Sequence, residues 1–143
     1  GKYTFEDDPF IIASWVIWPS YISCWAALSY YKMTEQLPFT IQVVTTRKRN
    51  KRTLSFGGAT IKFIHIKMAA FNGFRKIIYH GKEIFVAEKE KAIIDGIATR
   101  KISISEAESI LNNNLSKINR RRLFFYAKGV NGLVKKLKVM LHD

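Results

Sequence analysis

The feature that most constrains the fold is a stretch of 22 residues without a charge, from Phe10 to Tyr31. By length alone such a stretch could cross a bilayer as one helix. Pro19 lies in its middle, Ser20 beside it is a good N-cap, and tryptophan and tyrosine are spread along the stretch rather than held at two interfaces. The pattern therefore predicts two short core helices, no membrane partner, and a membrane-associated protein only as an alternative.

The two helices can be given approximate limits from their capping residues. Asp8 is expected to cap a first helix that has Pro9 at its first position and runs to about Trp18. Ser20 is expected to cap a second helix, from 21 to about 33. The aromatic side chains of the stretch could stack on nucleic-acid bases, but their helical spacing favours the core; they are Trp15, Trp18, Tyr21, Trp25, Tyr30 and Tyr31.

A block of strands is predicted next. The run 41–46 is rich in β-branched residues, and a second run, 59–66, follows a Gly57-Gly58 turn. Two further runs, 74–79 and 83–86, flank a short segment with a turn glycine, which is the signature of a hairpin. These patterns predict a meander of four or five strands.

Four helices are predicted after the strands, at about 88–99, from a capping box at Ser105 to Glu108 onward, at about 117–128, and at about 131–141. Helices on either side of a strand block are typical of the α+β class. We therefore expect two N-terminal helices, a four- to five-stranded mostly antiparallel sheet, and a C-terminal group of about four helices. Residues 8–143 are expected to form one domain.

The charge balance points to a polyanionic partner, because the net charge is +13 and the pI is about 10.0. The single cysteine, Cys24, rules out a disulfide within the chain and is interpreted as a buried, inert thiol. Acidic residues precede the first apolar run, where a signal peptide would be basic. We expect a cytoplasmic protein whose start is a tag remnant or the cut end of a preceding domain.

The strongest electrostatic feature is a run of five positive charges in six residues between two predicted strands. We expect it at a hairpin tip, where it could contact several phosphates. A solvated basic loop without a partner is the alternative. The candidate nucleic-acid-binding residues are Arg47, Lys48, Arg49, Lys51 and Arg52.

No catalytic residue, metal site or cofactor is predicted, because the histidines are scattered and no phosphate-binding glycine loop occurs. The nearest pattern to a site is Glu88-Lys89-Glu90-Lys91. A Glu-x-Lys after a strand is typical of magnesium-dependent nucleases, in which a carboxylate holds the metal and a lysine steadies the attacking water. The alternative is a helix start at which Lys91 pairs with Asp95 four residues later. A nuclease is therefore kept only as an alternative.

The order of the segments resembles the C-terminal domain of AbiEi-family proteins, which are antitoxins and transcriptional regulators of viral-defence systems. The resemblance covers about Asp8 to Leu141. It is carried by 19–23 (Pro-Ser-Tyr-Ile-Ser), 26–31 (Ala-Ala-Leu-Ser-Tyr-Tyr), 34–36 (Thr-Glu-Gln), 43–46 (Val-Val-Thr-Thr) with its basic turn, 81–87 (Gly-x-Glu-Ile-x-Val-Ala), and 88–95 (Glu-Lys-Glu-Lys-Ala-Ile-Ile-Asp).

The resemblance implies a partner and an organisation. Family members carry an N-terminal winged helix that binds the promoter, and Gly1-Lys2-Tyr3 resembles the end of its wing strand; residues 1–7 would be a remnant of it or a linker. The C-terminal domain would counteract a cognate nucleotidyltransferase-type toxin of a type IV toxin–antitoxin pair. Its basic residues would assist DNA binding.

Overall fold

The computed structural model describes residues 8–35 and 39–142, so the predictions for residues 1–7 and for the loop at 36–38 lie outside it. The described residues form helices α1 Pro9–Trp15, α2 Cys24–Tyr30, α3 Lys89–Ala98, α4 Ile104–Asn113, α5 Arg120–Ala127 and α6 Leu133–Met140. They form strands β1 Ser20–Ile22, β2 Thr40–Thr45, β3 Thr53–Phe56, β4 Ala59–His65, β5 Phe74–Tyr79 and β6 Lys82–Ala87.

The strands of the described residues make one sheet in the order β3-β4-β2-β1-β6-β5. Strands β2 and β4 run parallel, as do β1 and β6, whereas the other three pairs are antiparallel. The α+β class and the group of four C-terminal helices are confirmed. The prediction of four or five mostly antiparallel strands is wrong, because the sheet has six strands and is mixed.

The extra strand comes from the uncharged stretch. Ser20 was expected to cap a helix, but instead it begins β1, in which Ser20 pairs with Thr45 and Ile22 pairs with both Val43 and Val86. All three residues of β1 are buried. They fill the gap between β2 and β6, so the pairing of backbone groups on both sides outweighs the local helical pattern. Helix α2 begins at Cys24, three residues later than expected.

The start of α1 is confirmed, because the Asp8 carboxylate accepts a hydrogen bond of 2.8 Å from the Phe10 amide and Pro9 is the first helical residue. Its end is not, since α1 stops at Trp15 rather than near Trp18. Each of the two helices of this stretch has seven residues. Across the described residues, no helix combines the length and the apolar character that a membrane crossing requires.

Helices cover both faces of the sheet. The Tyr21 side chain reaches α3, where its hydroxyl bonds to Asp95, whereas the neighbouring Ser20 hydroxyl donates to the carbonyl of Ile17, after α1. Successive side chains of a strand point to opposite faces. One core therefore joins α1, the sheet and the helices α2 and α3, and the cysteine Cys24 is buried in it, as expected.

Two local predictions for the second half of the chain have different outcomes. The hairpin β5–β6 is confirmed, and its two turn residues, His80 and Gly81, have φ values of 49° and 79°. Such values match the twist of the flanking strands in a two-residue turn. The capping box lies two residues earlier than expected, because Ser103 and Glu106 make both reciprocal bonds at the start of α4.

Candidate functional site

The basic run does not sit at a hairpin tip. It connects β2 to β3, and these strands are not neighbours, because β4 lies between them in the sheet. Residues 46–52 therefore cross the carboxyl end of β4. We call this segment the basic crossover. The correction follows from the parallel pairing of β2 with β4, which a run of sequence between two strands does not reveal.

Both ends of the basic crossover are held in place. At its start, the Arg47 amide donates to the Thr45 hydroxyl over 3.1 Å, and the Arg47 guanidinium donates to the Trp18 carbonyl over 3.3 Å. At its end, the Arg52 carbonyl accepts a hydrogen bond of 2.8 Å from the Phe63 amide in β4. The crossover is therefore tied to β2, to β4 and to the segment before β1 rather than projecting freely from the sheet.

The basic crossover forms one wall of a cleft with a volume of about 700 Å³. Within the described part of the chain, no aspartate or glutamate lines this cleft. Its volume falls in the range of about 300–1,000 Å³ found for ligand sites. Six cationic residues line it, namely Arg47, Lys48, Arg49, Arg52, Lys62 and Lys101.

The structure brings together four of the five candidate residues and adds two more. Lys51 is exposed and does not line the cleft, although its carbonyl accepts a hydrogen bond from Nε of Arg49. The guanidinium carbon of Arg49 lies 4.3 Å from the centroid of the Phe63 ring, a cation–π contact that holds Arg49 against β4. Lys62 and Lys101 were missed, because each is a single lysine in its own segment.

Lys62 and Lys101 reach the cleft from different elements. Lys62 lies in β4 opposite Gln42 of β2, whose buried amide oxygen accepts from the backbone at the start of α2. Lys101 follows α3, where Arg100 has a φ of 62° and turns the chain. The Lys101 carbonyl accepts a hydrogen bond of 2.9 Å from the Trp25 indole. The sheet and α2 thus fix the positions of both lysines.

The two lysine side chains repel each other electrostatically. Contact with the Lys62 ammonium, together with partial burial, holds the pKa of Lys101 below its usual value. The positive charge of Arg52 also lowers the pKa of Lys101. Two neighbouring positive charges favour the binding of an anion between them, since an anion relieves the repulsion. The cleft is thus built to attract negative charge.

The chain matches no protein-family model and no curated protein.

The nearest pattern to a catalytic site, at 88–91, is engaged in holding helices together. Glu88 accepts hydrogen bonds of 2.8 Å from the Tyr126 hydroxyl and from the Arg122 guanidinium. The buried carboxylate of Glu90 accepts a bond of 2.9 Å from the Asn119 amide at the start of α5, and its other oxygen has no partner within 3.5 Å among the described residues.

Lys91 is also buried. Its ammonium donates to the Ala70 carbonyl over 2.6 Å and to the Asn72 side chain over 3.2 Å. It pairs with Asp95 at 3.4 Å, as the i,i+4 interpretation expected. Within residues 8–35 and 39–142, no group of three or more His, Cys, Asp or Glu side chains could hold a metal ion.

The aromatic residues of the uncharged stretch divide into two sets. Tyr21 is fully buried and Trp25 is partly buried, as the core prediction expected. For Trp15 and Trp18 that prediction is wrong, because their side chains are 52% and 65% exposed. Trp18 is exposed because α1 ends at Trp15, so the residues that follow leave the helix before β1 begins at Ser20.

Proposed function

We propose that this chain is a non-catalytic regulatory domain that binds the phosphate backbone of nucleic acid in the basic cleft. The observation that carries the proposal is the convergence of six cationic side chains, without a carboxylate, on one concave surface of the described residues. Phosphate contacts from lysine and arginine supply most of the affinity for nucleic acid that does not depend on sequence.

The alternative of a solvated basic loop accounts less well for the site. A solvated loop would not explain why lysines from β4 and from the end of α3 lie together, since their mutual repulsion is unfavourable. Lys62 and Lys101 nevertheless lie beside each other in the cleft. The Lys91 and Glu90 side chains, by contrast, make internal contacts, which supports a structural role for the nuclease-like pattern.

Binding to nucleic acid over a salt series tests the proposal. The 143-residue chain should bind promoter DNA and random duplex DNA with similar affinity. Each phosphate contact contributes about −0.9 to the log–log slope against salt, so contacts from all six cations would give a slope near −5. No binding at low salt would overturn the proposal.

Two matched triple variants separate the cleft from net charge. Arg52→Gln with Lys62→Gln and Lys101→Gln removes three charges from the cleft. The control, Lys135→Gln with Lys136→Gln and Lys138→Gln, removes three charges from the exposed face of α6. We expect the cleft variant to reduce the slope by about 2–3 and the control to change it little. Equal effects would assign the binding to net charge alone.

The antitoxin role is the second part of the proposal and is supported by the sequence resemblance to the AbiEi family. The domain would neutralise a nucleotidyltransferase-type toxin by binding it and would help regulate the genes of the pair. Growth of cells that express an adjacent nucleotidyltransferase gene tests this part. Rescue by co-expression of this chain, with co-purification of the two proteins, is the expected result; continued toxicity would contradict it.

A further inference from the structure

The cleft lies at the end of the sheet where an exposed tryptophan is also found. Ser20 pairs with Thr45, and Thr45 pairs with His65, so the start of β1 and the carboxyl ends of β2 and β4 share one edge of the sheet. Trp18 lies two residues before β1, at this edge. The Arg47 side chain links the cleft to the backbone of Trp18, because it lines the cleft and donates to the Trp18 carbonyl over 3.3 Å.

The Trp18 ring has one aromatic neighbour and is otherwise largely exposed. Its side chain is 65% exposed, and its centroid lies 5.5 Å from that of the partly buried Phe85 ring. The backbone on either side is also fixed, since the Pro19 carbonyl accepts a hydrogen bond of 2.7 Å from Thr45. A large exposed indole in a fixed position offers a flat surface on which another ring can stack.

We infer that the nucleic acid bound in the cleft is single-stranded, with a base stacked on Trp18 while the adjoining phosphates lie along the basic crossover. The inference rests on the proposed function of the cleft. A positively charged groove beside an aromatic side chain is the arrangement that holds unpaired strands, because phosphates follow the charge and every base has a face that can stack.

Duplex nucleic acid does not fit both features. The bases of a duplex are stacked on one another and paired, so their faces are not available to Trp18. The cleft is also concave, with a volume of about 700 Å³, which suits a few nucleotides of one strand. A duplex can place its phosphates against the cations of the cleft but gains nothing from the indole. Trp18 therefore discriminates between strand and duplex.

A protein partner on the same indole is less well supported by its surroundings. The Arg47 guanidinium bonds to the Trp18 carbonyl, and the Trp15 ring has the Lys82 ammonium 5.8 Å from its centroid. Aromatic side chains among cations favour a ligand that is both flat and anionic. A nucleotide strand has both properties.

Fluorescence anisotropy with two labelled probes tests the inference. The probes are an oligothymidylate and a duplex, each of about 15 nucleotides in length, and an oligouridylate of the same length serves as the RNA arm. At equal salt we expect a single strand to bind about tenfold more tightly than the duplex. Tighter binding of either the DNA or the RNA strand supports the inference, whereas equal affinity for strand and duplex overturns it.

Variants of the two exposed tryptophans assign the preference. Trp18→Ala should remove the tenfold preference, whereas Trp18→Phe, which keeps an aromatic face, should retain most of it. Trp15→Ala is the matched control, because Trp15 is also exposed but its indole donates to the Glu83 carbonyl and its ring lies beneath Lys82. An unchanged preference in Trp18→Ala overturns the assignment.

The outcomes distinguish this inference from the proposed function. If Trp18→Ala binds strand and duplex as the unmodified chain does, but the cleft triple variant loses both, the cleft remains a nucleic-acid site and the stacking role fails. If the unmodified chain binds neither probe at low salt, the proposed function itself fails. Quenching of tryptophan fluorescence by the strand, present in Trp15→Phe and absent in Trp18→Phe, gives an independent readout.

Discussion

The Tyr21 hydroxyl donates a hydrogen bond of 2.8 Å to Oδ2 of Asp95, 74 positions away in the chain. Ser23 donates to the same oxygen over 2.8 Å, and Lys91 pairs with the other at 3.4 Å. Burial raises the pKa of Asp95, against the opposite effect of the Lys91 ammonium and the two hydroxyl groups. This network joins the central strand β1 to α3, the helix whose end carries Lys101 into the cleft.

Replacing Tyr21 by phenylalanine should destabilise the fold by about 1–3 kcal/mol, because the buried Asp95 carboxylate loses a donor that water cannot replace. The free energy of unfolding in urea measures the effect. Tyr126→Phe is the control: its hydroxyl bonds to Glu88 at a partly exposed position, where water can substitute. A loss in Tyr21→Phe no larger than that in the control would contradict the prediction.

The hairpin β5–β6 could be predicted because its signals are local. Two strand-forming runs flank a turn at His80-Gly81, and the pairing between the two strands lies within fourteen residues, from Phe74 to Ala87. Strand β1 could not, because its three residues follow a proline in a stretch with helical spacing. Its partners, Val43 to Thr45 and Val86, lie far along the chain, so only the assembled sheet makes it a strand.

For the same reason, the sequence predicted only part of the candidate site. The basic crossover appears as a dense run of charge, and four of its five cationic residues line the cleft. Lys62 and Lys101 are separated by 38 intervening residues and have no distinguishing pattern. The turn at the end of α3 and the parallel pairing of β2 with β4 bring the two lysines together. Neither feature can be deduced from the pattern of charged residues in the sequence. Exposure of Trp18 likewise depends on where α1 ends.

Lys91→Met should destabilise the fold by about 3–5 kcal/mol, because it leaves the Asp95 carboxylate buried without its cation. Adding Asp95→Asn should recover part of the loss, since the second change removes the isolated charge. Urea unfolding of the two single variants and the double variant measures the coupling. Lys89→Met, on the same helix but only half-buried, should change stability by less than about 1 kcal/mol. Strict additivity of the two changes would contradict the prediction.

Gly96→Ala should destabilise the fold by about 1–3 kcal/mol, although alanine normally favours a helix interior by about 1 kcal/mol. A Cβ at Gly96 would lie 2.5 Å from Cγ1 and 3.0 Å from Cβ of the buried Ile102. The Gly96 carbonyl also accepts hydrogen bonds from the amides of Lys101 and Ile102, so the turn that presents Lys101 would shift. The temperature of thermal unfolding and the affinity for nucleic acid should both decrease.

Gly129→Ala provides the matched control for this change. A Cβ at Gly129 would lie 3.7 Å from the Tyr126 carbonyl oxygen, which is an ordinary contact. We expect a change within about 0.5 kcal/mol and unchanged affinity. If the two alanine variants unfold at the same temperature, the close packing of Ile102 on α3 does not limit this position.

The affinity of the cleft for a polyanion should fall as the pH rises through the pKa of Lys101. Lys62 holds that pKa below the usual 10.5, and a bound phosphate would raise it again by stabilising the ammonium. Binding therefore takes up protons in this window and weakens above it. Lys62→Gln should move the loss of affinity to higher pH. Lys101→Gln should remove the part of the pH dependence that comes from Lys101. Anisotropy titrations at constant ionic strength measure the three profiles, and parallel curves would show that Lys101 does not face the bound anion.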